Sequence, residues 1–569
     1  MLDFKLIKDE SGEYIETSIA GKLLLNSAAL NKGTAFTENE RSVFGLLGKL
    51  PAQVETLAEQ VRRAYCQFQS YATMLQKHIY LNNLHDKNQV LFYRLISDHL
   101  VEMLPCIYTP IVGTAVKEYS REFRQARGLY IAYPYRDKIP EILDNRSHPE
   151  IDLIVVTDGE GVLGIGDQGI GGMDIPIAKL MVYTLCAGIN PLRTLPILLD
   201  VGTDNETLLT DPLYLGLRHA RIRGAEYDAF IDQFVTAVQT KFPQVFLHWE
   251  DFGRINARRV LDHYKNQLCS FNDDIQGTGA VTLAAVLAAI KAAHSSIEKQ
   301  RIVIFGAGTA GTGIADQICA AMVRAGLSET QARQRFWLVD RPGLLINNMT
   351  DLTSAQLPYA READEVAKWQ VLSPAGINLY DTVKQVQPTI LIGCSSQGGA
   401  FTQEIIRKMA KHQAHPIIFP LSNPTEHAEA TPEHILQWTD GKALVATGSP
   451  FDDINFKGRT LKIAQCNNAL VFPGLGLGVL AVKAKRLTDQ MLWVATQVLA
   501  ENAPVLQDSH APVLPLIHDA RKMARKIALA VARQAQHEGL AQLEVTQLEQ
   551  RIDDLMWQPH YVPLKRKLK

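Results

Sequence analysis

Residues 301–340 read as strand, glycine turn, helix and strand in immediate succession. "RIVIF" is apolar and β-branched. "GAGTAG" at 306–311 follows it without a spacer, "GIADQICAAMVRAG" has helical spacing, and "FWLVD" ends in Asp340. A G-x-G-x-x-G turn between strand and helix, with an acid closing the next strand, limits the fold more than any other stretch here. The glycines let backbone approach a pyrophosphate, the helix N-terminus faces it, and the acid takes ribose hydroxyls. A doubly wound parallel sheet that binds a dinucleotide is expected, held by Gly306, Gly308, Gly311 and Asp340.

A second stretch, "GIGDQGIGG" at 164–172, also fits the motif. It too follows a strand, "IDLIVVTD", and precedes a helix, "IPIAKLMVYTLCAGI". Charge separates the two copies. The helix after 306–311 carries no charge until Asp316, whereas Asp167 lies inside the earlier motif and Asp174 opens its helix. An acid there competes with a phosphate for the positive helix end. NAD is therefore assigned to 306–311, and the glycines at 164–172 to close approach of a small ligand or another loop.

The chain is 569 residues long, more than one ordinary core accommodates. Its net charge of -2 gives no reason to expect a nucleic-acid or membrane-surface partner. The seven cysteines form no C-x-x-C, which suits free thiols in a reducing cytoplasm. The start of the sequence has no apolar core of a signal peptide, and the Ala-rich run "AVTLAAVLAAI" reads as a buried helix rather than a membrane span.

The periodicity up to about residue 125 is helical, then a β-α-β texture begins. The expected architecture is multidomain α/β. A helical N-terminal domain spans 1–126. A parallel-sheet catalytic domain spans 127–272 and is completed by 468–540. A Rossmann-like NAD-binding domain spans 273–467, and 541–569 form a C-terminal helical tail. The terminal "PLKRKLK" is expected to be frayed and solvated.

Two acidic pairs stand at segment ends: Glu250 and Asp251 in "HWEDFGR", Asp273 and Asp274 in "FNDDIQGTG". Four carboxylates with no base inside either pair suit a hard cation, Mn²⁺ or Mg²⁺, acting as a Lewis acid.

These features occur in the order found in one family. "LNKGTAFT" (30–37), "IYTPIVG" (107–113), "VVTDGEGVLGIGDQGIGGM" (155–173), "WEDF" (249–252), "FNDDIQGT" (271–278), "GAGTAG", "PLSNPT" (420–425), "ALVATGSPF" (443–451) and "QCNNALVFPG" (465–474) give a chain that resembles the malic enzymes over nearly its whole length. The resemblance implies oxidation of L-malate with NAD or NADP, decarboxylation of oxaloacetate and protonation of enolpyruvate, with a divalent cation. It implies Glu250, Asp251 and Asp274 as metal ligands, Asp274 also lying on the cofactor side. It implies Lys179 as general base, Asp273 as its electrostatic partner and Tyr108 as the proton donor. Asn423 and Asn467 would hydrogen-bond the substrate carboxylate or the nicotinamide carboxamide. Relatives form dimers and tetramers, so a homodimer or homotetramer is expected, with the helical N-terminal region as interface.

Two positions depart from the family pattern. Gly161 stands where malic enzymes carry a malate-binding arginine, and Asp174 where they carry a small residue. Restoring the arginine is expected to tighten malate binding, provided Asp174 does not capture it. Malolactic enzymes, which convert L-malate to L-lactate and CO₂ with NAD and Mn²⁺ retained, are similar at both places. "YTP" and "GDQGIGGM" are closer to malic enzymes. The reading is an NAD-dependent malic enzyme, with malolactic enzyme as the alternative and a NAD-binding regulator without catalysis as a third. Asp340, followed by "RPGLLINNMT" with only Arg341 as a nearby cation, favours NAD over NADP.

Overall fold

The computed structural model describes residues 4–567 except 11, 163, 370 and 372–375. The chain divides into two compact units: Met1–Thr157, Gln168–Val245 and Asp554–Lys569 form the first, Asp158–Asp167 and Phe246–Asp553 the second.

The first unit begins with strands, where helix was expected. β1 (Phe4–Asp9) and β2 (Gly12–Thr17) form an antiparallel hairpin. The chain terminus joins it: Leu564–Arg566 pairs parallel with β2, Leu564 opposite Ile15. "PLKRKLK" is thus not frayed over its described part. Leu564 packs with Leu24, Leu30, Phe36, Phe44 and Leu46, and its amide donates to Glu40 Oε1 at 2.9 Å. One helix of the tail, Leu548–Leu555, precedes this strand. The helices Leu57–Gln69 and Met74–Lys87 start where the sequence supplies capping boxes, Thr56 with Glu59 and Thr73 with Gln76.

A parallel sheet follows. β3 (Leu129–Ala132) and β4 (Leu153–Thr157) flank β5 (Thr194–Asp200). Every residue of β4, Leu-Ile-Val-Val-Thr, is buried, which is why it reads as a continuous apolar run rather than an alternation. The helix Asp174–Ala187 packs on β4 and β5 and is buried along almost its whole length.

In the second unit, β6 (Phe246–Trp249) and β7 (Ser270–Asn272) pair in parallel, His248 opposite Phe271 and Trp249 opposite Asn272. β7 passes directly into a π-helical turn, Asp273–Gly277, and then the helix Thr278–Ala292. A doubly wound sheet comes next, from β8 (Ile302–Phe305), β9 (Phe336–Asp340), β10 (Gly343–Leu344), β11 (Ile390–Gly393), β12 (Ile417–Pro420) and β13 (Leu444–Thr447). Their order is β10-β9-β8-β11-β12-β13, closed by Ala464–Gln465. All pairings are parallel except that of β10. The chain runs outward on one side of β8 and returns on the other, so the β8 carboxyl end, next to that of β11, is the switch point where such sheets take ligands.

The segments Gly169–Ala187 and Asp273–Ala292 are long and apolar enough to cross a membrane, yet their apolar windows are 89% and 78% buried inside the fold. The run "AVTLAAVLAAI" lies in the second and is a core helix. None of the seven cysteines, all among the described residues, is in a disulfide.

Candidate functional site

The turn after β8 divides its three glycines by function. Gly306 has φ +103°, and a Cβ there would land on the carbonyl oxygen of Cys394. A Cβ at Gly311 would land on the Gly306 carbonyl. Both are needed for packing. A Cβ at Gly308 meets nothing within 4 Å, so the open face of the turn is at Gly308. The helix Thr309–Arg324 begins there with no side-chain cap and no acid in its first turn. Its first amides are thus available to an anion. Asp340 Oδ2 accepts from Gln356 Nε2 at 3.1 Å, and the same amide donates to the Ala307 carbonyl at 2.9 Å. Gln356 therefore ties the acid to the glycine turn. Arg254 lies 3.9 Å from Asp340. Neither Gln356 nor Arg254 was legible in the sequence, because Gln356 lies in a turn beyond β10 and Arg254 opens a helix, Arg254–Tyr264, far from Asp340 along the chain.

The acids converge because β6 and β7 are adjacent and in register, so the residues that follow each strand meet. Asp251 adopts φ +53°, the left-handed region that non-glycine residues rarely enter. Its amide donates to Asp274 Oδ2 at 2.8 Å. Glu250, Asp251 and Asp274 are all buried, and an oxygen of each lies within 4.8 Å of the others. Three buried carboxylates at that spacing repel unless a cation or protons compensate them. Asp273 is fully buried, and its Oδ2 accepts from Asn468 Nδ2 at 2.8 Å, an amide that also donates to Thr278 Oγ1 at 3.0 Å. His248, also fully buried, bonds through Nε2 to Glu250 at 2.5 Å. The sequence reading passed over His248 and Asn468. The available signal was position: His248 lies two residues before Glu250 in a strand, on the same face.

In the first unit, Lys179 and Tyr108 come together. Lys179 is 3% exposed in the helix Asp174–Ala187, and its Nζ lies 5.5 Å from the centre of the Tyr108 ring. That is a cation–π distance. Tyr108 is anchored by its own amide, which donates to the Leu104 carbonyl at 2.9 Å.

Asn423 and Asn467 stand in loops at strand ends of the second unit. Asn423 follows β12, and its Oδ1 accepts from Ser449 Oγ at 2.6 Å. Asn467 caps the turn Asn468–Leu470, Oδ1 accepting from the Ala469 amide at 2.9 Å.

Residues 85–265 match the family profile described as "Malic enzyme, N-terminal domain", and 275–536 that of "Malic enzyme, NAD binding domain". The chain belongs to the malic enzyme family. A protein of Proteus mirabilis named NAD-dependent malic enzyme is 50% identical over 561 residues, 98% of this chain and 99% of that one. One of the same name from Pseudomonas syringae pv. syringae is 51% identical over 552 residues, 97% and 98% of the two chains. Among solved structures, the Entamoeba histolytica malic enzyme superposes with a TM-score of 0.55 at 23% identity, covering 90% of both chains. That of Pyrococcus horikoshii gives 0.54 at 24%, covering 80% of this chain and 89% of the other. At those identities the likeness concerns the fold alone.

Against the malic enzyme pattern, the two departures acquire physical reasons. The amide of Gly161 donates to the Asp251 carbonyl, and a Cβ at Gly161 would land on the Phe252 carbonyl oxygen. The substrate contact expected of an arginine there is therefore opposed by the backbone of the acidic turn, which its Cβ would have to displace. Asp174 belongs to a polar cluster. Burial pushes its carboxyl up to about 6, against the charge of Arg127. Arg127 itself donates to Asp86 Oδ1 and to Asn82 Oδ1, both at 2.8 Å. The glycines of 164–172 are spent largely on packing. A Cβ at Gly164 meets the Asn423 carbonyl, at Gly169 the Tyr214 hydroxyl and at Gly171 the Val116 carbonyl.

Proposed function

We propose that this malic enzyme oxidatively decarboxylates L-malate to pyruvate and CO₂, using NAD and a divalent cation. The observation that carries the reading is the convergence of Glu250, Asp251 and Asp274, in the same unit as the glycine turn 306–311. Relatives at about half identity over nearly the full length bear the name NAD-dependent malic enzyme. They do not favour the malolactic alternative.

The donor set fits a hard cation. All three groups are carboxylates, close-packed and buried, which suits Mn²⁺ or Mg²⁺ with oxygen ligands and leaves further positions for substrate and water. The turn at Gly306, Gly308 and Gly311, with Asp340 beside it, fits a dinucleotide. When bound, the cation supplies Lewis-acid stabilisation of the oxygen that carries negative charge in both hydride loss and CO₂ loss. NAD supplies the hydride acceptor.

The remaining work falls to this chain's own side chains. Lys179 Nζ, walled by an apolar helix, accepts the proton of the malate C2 hydroxyl. Tyr108, whose ring centre lies 5.5 Å from Lys179 Nζ, gives a proton to C3 of enolpyruvate. Asp273, held by Asn468, adds a further buried carboxylate beside the acids of the cation site. Asn423 and Asn467 orient the substrate carboxylate or the cofactor carboxamide.

Product analysis from L-malate, NAD and Mn²⁺ tests this. Pyruvate and NADH in equal amounts are expected. Lactate without net NADH would transfer the chain to the malolactic reaction, and no metal-dependent turnover would leave only a binding protein.

A further inference from the structure

We propose that His248 is a positioning residue for Glu250, holding one carboxylate oxygen so that the other points in a fixed direction toward the cation. The inference rests on the metal role proposed for Glu250. It has three supports in the geometry. His248 and Glu250 share one face at the end of β6, and the imidazole Nε2 meets Glu250 Oε2 at 2.5 Å. The ring is fully buried and held edge-on by two aromatics. Phe271 lies at 5.3 Å and 86° between planes, Phe472 at 5.8 Å and 78°. The imidazole is therefore locked before any ligand arrives. Finally, nitrogen and oxygen atoms of His248, Glu250 and Asp273 lie within 4.8 Å of one another, and Asp273 is anchored by Asn468.

The metal trio and this second group share Glu250 alone. A glutamate without such a brace must freeze its side-chain torsions when it binds a cation. One braced by a buried N–H has done so already. Hydrogen-bond partners of metal ligands act in this manner, and removing them typically weakens metal binding 10–100-fold. The other use of the group would be a second cation held by His248, Glu250 and Asp273. The short Nε2–Oε2 hydrogen bond argues against it, because it occupies the nitrogen lone-pair or proton position such a ligand would need.

Mn²⁺ titration followed by electron paramagnetic resonance tests the proposal on the full chain, with NAD binding and thermal unfolding measured in parallel. His248→Met removes the N–H at similar volume and is expected to weaken Mn²⁺ binding roughly 10–100-fold with NAD binding unchanged. His248→Gln returns an amide N–H along the same line and is expected within about threefold of wild type. Wild-type affinity in the Met variant, or equal loss in Met and Gln variants that both bind NAD normally, would overturn the proposal. So would two Mn²⁺ per wild-type chain. Should the Met variant not fold, His248→Asn, one methylene too short to reach, takes its place with the same expected loss and the same overturning result. Wild type that binds no Mn²⁺ sinks the metal reading itself. Wild type that binds Mn²⁺ but forms no pyruvate sinks only the assigned reaction.

Discussion

The backbone amide of Gly161 donates to the carbonyl oxygen of Asp251 at 2.8 Å, so the loop after β4 braces the turn that carries two of the three metal-site acids. No side chain fits at that contact, since a Cβ on residue 161 would meet the Phe252 carbonyl. Asp251 already sits in left-handed backbone, a conformation that persists only when its surroundings enforce it. Gly161→Ala is therefore expected to weaken Mn²⁺ binding about tenfold, or ~1.4 kcal/mol. Gly161→Arg should weaken it at least as much and should not lower the KM for malate. Mn²⁺ titration of both variants decides. Unchanged affinity in Gly161→Ala would mean that the turn yields without disturbing its ligands.

Two glycines with open space in front of them separate the two glycine-rich turns. Neither Gly308 nor Gly166 has an atom within 4 Å of a built Cβ. Steric damage to the fold is therefore small at both, provided the left-handed Gly166 is replaced by a residue that tolerates φ +74°. Isothermal titration should find one NAD per chain, lost in Gly308→Val and kept in Gly166→Asn. Loss in the second variant, or two NAD per wild-type chain, would assign 164–172 a nucleotide role.

Cofactor choice turns on Asp340 and its neighbours. A 2'-phosphate placed at the end of β9 meets the Asp340 carboxylate, while Arg254, 3.9 Å away and half exposed, offsets part of that repulsion. An exposed pair of this kind contributes only about 0–1 kcal/mol, so the acid dominates. NAD should be preferred over NADP by at least about tenfold in kcat/KM. Asp340→Ala should raise efficiency with NADP and lower it with NAD. Arg254→Ala in that background should remove the gain. Equal wild-type efficiency with both cofactors would show that the arginine prevails.

What was legible in the sequence follows the range of the interactions concerned. β8, its glycine turn and Asp340 are contiguous, so a short window contains the whole dinucleotide signal. The acids of "HWED" and "FNDD" announce themselves by charge at strand ends, although only the β6–β7 register explains why they meet. The residues that were missed act across long sequence distances. Gln356 reaches back to Ala307, Asn468 to Asp273, and Leu564 to the hairpin at the other end of the chain. The last case also shows why the tail was misread. Among the described residues of "PLKRKLK", only Leu564 is buried, too few for a period-2 pattern to register. Gly161 was read as the loss of an arginine, because a sequence shows the side chain that is missing and not the carbonyl that fills its place.

Asp174 gives a prediction about pH. Its carboxyl, ordinarily at 3.8, is raised to about 6 by burial, the Arg127 charge opposing. An acid raised in the folded state costs nothing when both folded and unfolded chains are protonated. It becomes unfavourable as pH rises from about 4 to about 6, where the unfolded chain ionises and the folded one resists, and the full cost persists above that. A shift of about two units corresponds to ~3 kcal/mol, which partial exposure of the residue reduces to about 1–2 kcal/mol. Asp174→Asn keeps the shape and removes the ionisation. Its melting temperature should exceed that of wild type at pH 8 by up to a few degrees, and the difference should shrink as pH falls through 6 and close only below about pH 4. A constant difference across that range would mean that Asp174 is not titrating within it. A variant less stable at pH 8 would show that the pairing of its carboxylate with Arg127 outweighs the burial.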